Sequence, residues 1–144
     1  MAKLGDLDRV VEAYHVAADE FSRGNPEPIK AVFSRRDDVT LANPFGPAVR
    51  GWEEVSGALD FASSRFKDGE VASFERIATY TSSELATFLE LERWKAKVGG
   101  SDAVAPFDLR VTSTFRHEDD DWKLVHRHAD PITTHDSRGP LRGS

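Results

Sequence analysis

The stretch Phe107–Asp130 reads FDLRVTSTFRHEDDDWKLVHRHAD and carries the clearest structural pattern in the chain. From Phe107 to His117, odd positions are mostly apolar and even positions polar. Such alternation predicts an antiparallel strand with one buried face. A second strand follows the acidic break Glu118–Asp121, and one of its faces carries Trp122, Leu124, His126, His128 and Asp130.

The two strands predict a hairpin with a defined register. A loop over Glu118–Asp121 sets His117 opposite Trp122 and Phe115 beside Leu124. Continued along the strands, the register pairs Ser113 with His126, Val111 with His128, and Leu109 with Asp130. Both apolar faces then lie on one side of the sheet, whereas a one-residue slip would separate them. This register predicts that two imidazoles and a carboxylate point into a polar-lined pocket.

Composition limits the class of protein. The chain has 144 residues, is 39% hydrophobic and carries a net charge of −6 with dispersed basic residues, so it suits one domain and is a poor match for nucleic acid. Apolar runs fall short of the ~20 residues of a membrane span. Without cysteine, disulfides and thiolate chemistry are excluded. Because the first residues lack a signal-peptide pattern, a cytoplasmic location is expected.

The order of elements predicts an α+β fold. Apolar spacing indicates a helix over Leu7–Phe21, a short second helix after Asn25, and a third from Gly51 whose buried stripe ends at Phe66. Two short strands separate the second and third helices, and four long strands follow, giving α-α-β-β-α-β-β-β-β. A strongly curved, mixed or antiparallel sheet should wrap around the helices as a cone. Residues 1–131 form the expected single domain, and residues 132–144 a flexible tail.

This order, the Asn43-Pro44-Phe45-Gly46 turn before the third helix and the ending WKLVHRH at 122–128 resemble the NTF2-like superfamily. The nearest group is similar to its SnoaL-like and ketosteroid-isomerase-like proteins. The resemblance implies a cone-shaped fold with a hydrophobic pocket at the open end and frequent dimerisation through the outer sheet face. The ending is also similar to the association domains of calmodulin-dependent kinases, which are oligomerising scaffolds.

The resemblance also allows the catalytic positions of ketosteroid isomerases to be compared with residues of this chain. Ketosteroid isomerases use an aspartate base in the turn after the first strand, and that position matches Asn43, whose amide cannot accept a proton at neutral pH. The family tyrosine falls near Ala17, with Tyr14 one helical turn earlier on the same face. The second aspartate position matches Ser113 or Thr112. Steroid isomerase chemistry in its known form is therefore not expected.

The two histidines have three interpretations. His126 and His128 could form a metal pair with Asp130, but a pair of histidines on one strand also needs a ligand from another segment. None is identifiable, so no metal or cofactor is predicted. Either imidazole could be a general base oriented by Asp130. Alternatively, the rings satisfy each other, Tyr14 or backbone groups. Glu90 and Glu92 face either the pocket or the outer surface, and the need to bury Leu89 and Leu91 favours the outer surface.

Two functions follow from these patterns. The first is binding of a small, largely apolar, oxygen-bearing ligand, with proton transfer by His126 or His128 and an oxyanion contact from Tyr14 or Asn43. The remaining predicted pocket residues are Phe33, Trp52, Phe61, Val111, Ser113 and Asp130. The second is a non-catalytic dimerising scaffold. Its contact face would comprise Arg110, Thr112, Thr114, Val125 and Ala129.

Overall fold

A computed structural model describes residues 4–132, and the order of elements in it is the predicted one. The helices are α1 (Leu4–Phe21), α2 (Glu27–Val32) and α3 (Trp52–Ser63). The strands are β1 (Thr40–Ala42), β2 (Val49–Arg50), β3 (Phe66–Thr81), β4 (Leu85–Val98), β5 (Ala105–Glu118) and β6 (Asp121–Pro131). Among residues 4–132, no helix has the length and apolar character that crossing a membrane requires. The tail predicted over 132–144 lies outside the described residues, except for Ile132.

All six strands form one mixed sheet in the order β2-β1-β6-β5-β4-β3. Only the β1–β6 pair is parallel, and the neighbouring pairs are antiparallel. Three register shifts interrupt the β3–β4 ladder and one interrupts β5–β6. Such irregularities bend and twist strands, and the helices occupy the concave side. The predicted α+β cone is confirmed.

The core lies between α1 and the concave face of the sheet. The apolar stripe of α1 is buried as its spacing predicts, with Tyr14 and Ala17 almost inaccessible to solvent. Phe66 departs from the prediction, because α3 ends at Ser63 and Phe66 is the first residue of β3. Its ring packs among those of Phe45, Trp94 and Phe107, at centroid distances between 5.3 and 6.0 Å.

The β5–β6 hairpin begins in the predicted register. His117 pairs with Trp122 and Phe115 with Leu124. The turn is tighter than expected, because only Asp119 and Asp120 lie outside the strands and both have positive φ, 52° and 64°. Positive φ at both central residues is typical of a type I′ turn, whose twist matches that of antiparallel strands.

The predicted register is wrong beyond Leu124. A β-bulge at Val125 inserts one extra residue into β6, so His126 pairs with Thr114 and Arg127 with Ser113. Because side chains alternate along a strand, one inserted residue exchanges the faces of everything after it. Ala129 therefore pairs with Val111 on the concave face, where it is 1% exposed. His126, His128 and Asp130 lie on the convex face, and Arg127 takes the interior position.

Gly69 packs against the backbone of Ser22, the residue after α1, and we expect Gly69→Ala to be destabilising. A Cβ atom there would lie 2.5 Å from the Ser22 carbonyl oxygen and 2.9 Å from that of Lys95. Backbone atoms yield little, so the expected loss is about 1–3 kcal/mol of unfolding free energy, measured by urea denaturation. The matched control is Gly57→Ala on α3, where an added Cβ meets nothing within 4 Å. A loss at Gly57 as large as at Gly69 would contradict this packing.

Candidate functional site

A buried polar cluster joins α1 to strands β4 and β6. The Tyr14 hydroxyl donates to Glu92 Oε2 at 2.6 Å. Arg127 Nε donates to the Tyr14 oxygen at 2.9 Å, and Arg127 Nη2 donates to Glu92 Oε1 at 3.0 Å. The indole nitrogen of Trp94 donates to the same Glu92 oxygen at 3.0 Å. The Glu92 carboxylate is inaccessible to solvent and fully hydrogen-bonded, as a buried charge requires.

The charges within this cluster cancel. Burial raises the pKa of the Tyr14 hydroxyl well above its ordinary value, and Glu92 acts in the same direction. Burial alone would lower the pKa of Arg127, but the oxygens of Tyr14 and Glu92 outweigh it and hold that pKa above its ordinary value. Tyr14 therefore remains neutral, and the Arg127 cation balances the Glu92 anion.

An interior cavity of about 170 Å³, partly open to solvent, lies against this cluster. Its walls are almost entirely apolar and aromatic, and Arg127, Tyr14 and Asn43 contribute polar groups. The apolar lining consists of Ala18, Phe21, Ile29, Leu41, Pro44, Phe45, Leu59, Ala62, Phe66, Trp94, Val98, Phe107, Leu109 and Pro131. Within residues 4–132, Arg127 Nη1 makes no hydrogen bond, so its two N–H groups are available to a ligand. Such a cavity suits an apolar molecule with an acceptor oxygen.

Tyr14 and Asn43 are the predicted site residues that line this cavity. The Tyr14 proton is already donated to Glu92. Asn43 Oδ1 accepts a hydrogen bond from the Phe45 amide at 2.9 Å, so this side chain also closes its own turn. Tyr14 and Asn43 therefore make structural hydrogen bonds and also contact the cavity.

The remaining predicted lining residues lie elsewhere. Phe33 and Trp52 pack against each other at 6.3 Å, outside the cavity wall. Phe61 is 55% exposed and lines a separate surface groove. Val111 and Ser113 are buried in β5 without reaching the cavity. Their predicted position in the lining is wrong, because the space closes around Arg127 and the aromatic residues near Phe66.

The predicted position of the two histidines inside the pocket is also wrong, because the Val125 bulge turns both outward. His126 Nδ1 lies 2.8 Å from the Thr40 hydroxyl, and burial lowers the pKa of His126, as does neighbouring His128. His128 is exposed. Asp130 pairs with Arg110 on the convex face at 3.1 Å and cannot orient either ring inside the pocket. Among residues 4–132, no group of three histidine or acidic side chains converges on a metal position.

Sequence reasoning missed Arg127 and Trp94 as site residues and left two facings open for Glu92. Glu92 pairs with Leu109 across the β4–β5 ladder and lies on the concave face, which corrects the outward facing favoured for it. Trp94 has the same parity as Glu90 and Glu92, so the need to bury its indole was the available signal. Nothing comparable pointed to Arg127, whose facing depends on the bulge.

A second glutamate, Glu90, lies two residues before Glu92 on β4 and also connects α1 to the sheet. Glu90 Oε1 lies 2.9 Å from His15 Nε2, and Arg76 Nε donates to Glu90 Oε2 at 2.9 Å. The His15 ring stacks on Phe74 with centroids 3.9 Å apart. Burial would raise the pKa of Glu90, but the hydrogen bonds from His15 and Arg76 outweigh it, and the pKa lies below its ordinary value.

The lowered pKa of Glu90 predicts an acid-dependent loss of stability. A depressed folded-state pKa contributes stability that is complete above the unfolded-state value of about 4.5 and disappears as the pH falls through the folded-state value. We expect Glu90→Gln to flatten the decline in unfolding free energy below about pH 5, measured by urea denaturation at each pH. Glu84→Gln, at an exposed glutamate, is the control. An unchanged acid slope in Glu90→Gln would contradict the prediction.

The chain is similar to known proteins both in its sequence pattern and in its fold. The family model of the SnoaL-like domain matches residues 8–133, and the chain belongs to this family. A ketosteroid isomerase-like protein from Erwinia carotovora atroseptica is 19% identical, with a TM-score of 0.74 over 91% of this chain and 97% of its own. An NTF2-like superfamily protein from Salmonella enterica Typhimurium is 14% identical, with a TM-score of 0.75 over 97% and 96% of the two chains.

An association domain of solved structure has a similar fold. A candidate calcium/calmodulin-dependent kinase II association domain from Exiguobacterium sibiricum is 16% identical, with a TM-score of 0.66 over 93% of this chain and 96% of its own. At these identities the likeness concerns the fold alone. No protein of curated function matches the chain by sequence.

Proposed function

We propose that this protein binds a small neutral molecule with an apolar, ring-sized body and one carbonyl or hydroxyl oxygen. The oxygen would accept a hydrogen bond from Arg127 Nη1, and the body would fill the interior cavity. The observation that carries the proposal is the free guanidinium N–H pair in a cavity whose other walls are almost entirely apolar. The Arg127 side chain is 12% exposed, and a polar donor in a largely apolar wall favours ligands that supply an acceptor.

The cavity volume sets the size of the ligand. A dry cavity of about 150 Å³ accommodates benzene in another protein, and the space here is about 170 Å³. A single six-membered ring with a carbonyl group is therefore of suitable size, whereas a four-ring steroid would extend beyond the cavity. Cyclic ketones, small lactones and phenols are the classes that combine this size with an acceptor oxygen.

The charge of the cluster favours a neutral ligand. Arg127 already balances Glu92, so a ligand carboxylate would add a second anion close to the first. Two like charges about 5 Å apart repel by roughly 3 kcal/mol at an effective dielectric constant of about 20. A carbonyl oxygen gains the hydrogen bond from Arg127 without that repulsion.

Binding is supported better than proton transfer. Within residues 4–132, neither a carboxylate nor an imidazole belongs to the cavity lining. His126 and His128 lie on the opposite face of the sheet. Arg127 could stabilise a developing oxyanion, but the position of the family's base carries Asn43. The site therefore has a group that could contact a ligand oxygen but lacks the base that an isomerase requires.

A dimer through the convex face is the second candidate, favoured by the likeness to association domains. Uncharged side chains run across neighbouring strands there, with Leu89 pairing with Thr112 and Thr87 hydrogen-bonded to Thr114. Ala129 does not belong to this face because it points inward, and Val125 is buried at the bulge. Sedimentation velocity measures the expected dimer. The open cavity nevertheless favours ligand binding as the function, and the dimer and the cytoplasmic location remain predictions.

A cavity-filling variant tests the binding proposal. Ala18 lines the cavity on α1 and is 3% exposed, so Ala18→Leu places extra methyl groups in the space that the ligand would occupy. We expect cyclohexanone to bind the wild type saturably and to bind this variant at least tenfold more weakly, measured by NMR titration.

Ala31→Leu is the matched control, since Ala31 is an exposed residue of α2 outside the cavity lining. It is expected to bind as the wild type does. The proposal fails if cyclohexanone, caprolactone and phenol all leave the wild-type spectrum unchanged, or if Ala18→Leu binds them as tightly as Ala31→Leu.

A further inference from the structure

The interior cavity has a neighbour with which it shares a wall. A groove of about 300 Å³ lies between the turn after β1 and the exposed side of α3. Three residues line both spaces, namely Leu41, Asn43 and Phe45. Both spaces are partly open to solvent, and Arg127 lines only the cavity. These three side chains therefore form the wall between the cavity and the groove.

Of the three, only Phe45 has neither a place in a strand nor a side-chain hydrogen bond. Leu41 is 2% exposed and lies in β1, which is hydrogen-bonded to β2 on one side and β6 on the other. The Asn43 carboxamide is held by its hydrogen bond from the Phe45 amide. The Phe45 ring has neither restraint, and it is half-buried where it packs against the core.

Those ring contacts place Phe45 between the two spaces. Its ring meets Phe66, in the cavity wall, edge-on at 5.5 Å. It meets Phe61, in the groove wall, edge-on at 6.5 Å. Edge-to-face contacts of this kind are worth about 0.5–1.5 kcal/mol each beyond the area they bury. A ligand that buried a comparable apolar area could therefore displace the ring.

We infer that Phe45 is the partition that limits ligand length, and that the ligand class extends to neutral ketones or lactones with an apolar chain. The carbonyl group would sit at Arg127, and a chain that outgrows the cavity would displace the Phe45 ring and enter the groove. This inference rests on the proposed function and deepens it. The partition acts by turning a side chain, because Pro44 restricts the preceding backbone and the Phe45 amide donates to Asn43 Oδ1.

The groove lining restricts the chain that could enter. Pro47, Val49 and Ala58 present apolar surface, and the charged residues in the lining, Glu53 and Glu54, are both acidic. An anionic chain end would be repelled there, whereas an alkyl chain would exchange water for apolar contact. Arg127 in the cavity and the apolar, acidic lining of the groove together define the ligand class, which is a neutral carbonyl compound with an unbranched apolar chain.

A homologous series of methyl ketones tests the partition. In the wild type, affinity should rise about fourfold per added methylene group, the equivalent of the ~0.8 kcal/mol for burying each one, and then level off once the cavity is full. In Phe45→Ala the rise should continue for at least two further methylene groups, leaving the longer ketones about tenfold or more tighter than in the wild type. Phe45→Leu should give an intermediate cut-off and keeps the test available if the alanine variant unfolds.

Phe74→Ala is the matched control, because Phe74 lines neither space. Its cut-off should equal that of the wild type. The same cut-off in the wild type and both Phe45 variants, with cyclohexanone still bound by the wild type, overturns the partition and leaves the proposed function standing. Absence of wild-type binding to cyclohexanone and every ketone overturns both.

Discussion

Arg127→Met is expected to lower the free energy of unfolding by about 3–5 kcal/mol. The substitution keeps much of the apolar side-chain volume but removes the cation that balances Glu92, whose carboxylate is inaccessible to solvent. Trp94 and Tyr14 still donate to that carboxylate, yet neither carries charge. An uncompensated buried charge is among the most destabilising changes in a protein interior. Urea denaturation with the wild type measured in parallel gives the difference.

Arg110→Met is the matched control, one strand away. Arg110 pairs with Asp130 on the convex face, with side chains 60% and 44% exposed. An exposed pair of this kind contributes about 0–1 kcal/mol. In addition, Glu92→Met combined with Arg127→Met should cost less than the sum of the two single losses, since it leaves no unpaired charge. Equal losses for Arg127→Met and Arg110→Met would contradict the interior position of Arg127.

Phe66→Ala is expected to lower the free energy of unfolding by about 3–5 kcal/mol, and a ring-sized ligand should restore part of it. Phe66 is 7% exposed and packs against the rings of Phe45, Trp94 and Phe107. Its removal enlarges a cavity that it already lines. A ligand that binds only the folded state stabilises by mass action. Cyclohexanone should therefore raise the melting temperature of this variant in a concentration-dependent manner.

Phe61→Ala separates ring removal from cavity enlargement. The Phe61 ring is 55% exposed and does not line the interior cavity. Its loss should cost less than about 1 kcal/mol, and ring ketones should produce no additional stabilisation compared with the wild type. A loss at Phe61 that matches the loss at Phe66 would mean that the aromatic cluster around the cavity is not a packed core.

The fold could be predicted because its signals are long and redundant. The α1 stripe runs over four turns, and the β5 alternation over eleven positions from Phe107 to His117. Errors of a residue or two at element ends left the order unchanged. Phe66 shows the limit of this reasoning, because its spacing suits the α3 stripe as well as the start of β3.

The site could not be predicted because a single residue decides it. Up to Leu124 the hairpin register is the predicted one. After Leu124 the alternation changes phase, since His126, His128 and Asp130 are all polar while Val125 and Ala129 are apolar. A bulge at Val125 is then favoured, because it buries Ala129 and places Arg127 within reach of Glu92. Glu92 lies on β4, 35 residues from Arg127 in the sequence. The pattern of residues within β6 therefore gives no information about this partner.

Glu90 and Glu92 illustrate the same difficulty on β4. Each strand face there carries apolar residues, with Leu89 and Leu91 on one side and Phe88 and Trp94 on the other. The facing is decided by cations from distant elements. Arg127 on β6 neutralises Glu92 and Arg76 on β3 pairs with Glu90. Burial of paired charges is a property of the assembled sheet, and single-strand periodicity does not report it.

The most direct test is a cyclohexanone titration of protein with ¹⁵N-labelled arginine side chains and ¹³C-labelled histidine rings. If the cavity binds a neutral carbonyl through Arg127, the Arg127 guanidinium resonances will shift saturably, and the His128 ring resonances will not move. Saturable shifts confined to the His126 and His128 rings, with Arg127 unchanged, would contradict an interior site built on Arg127.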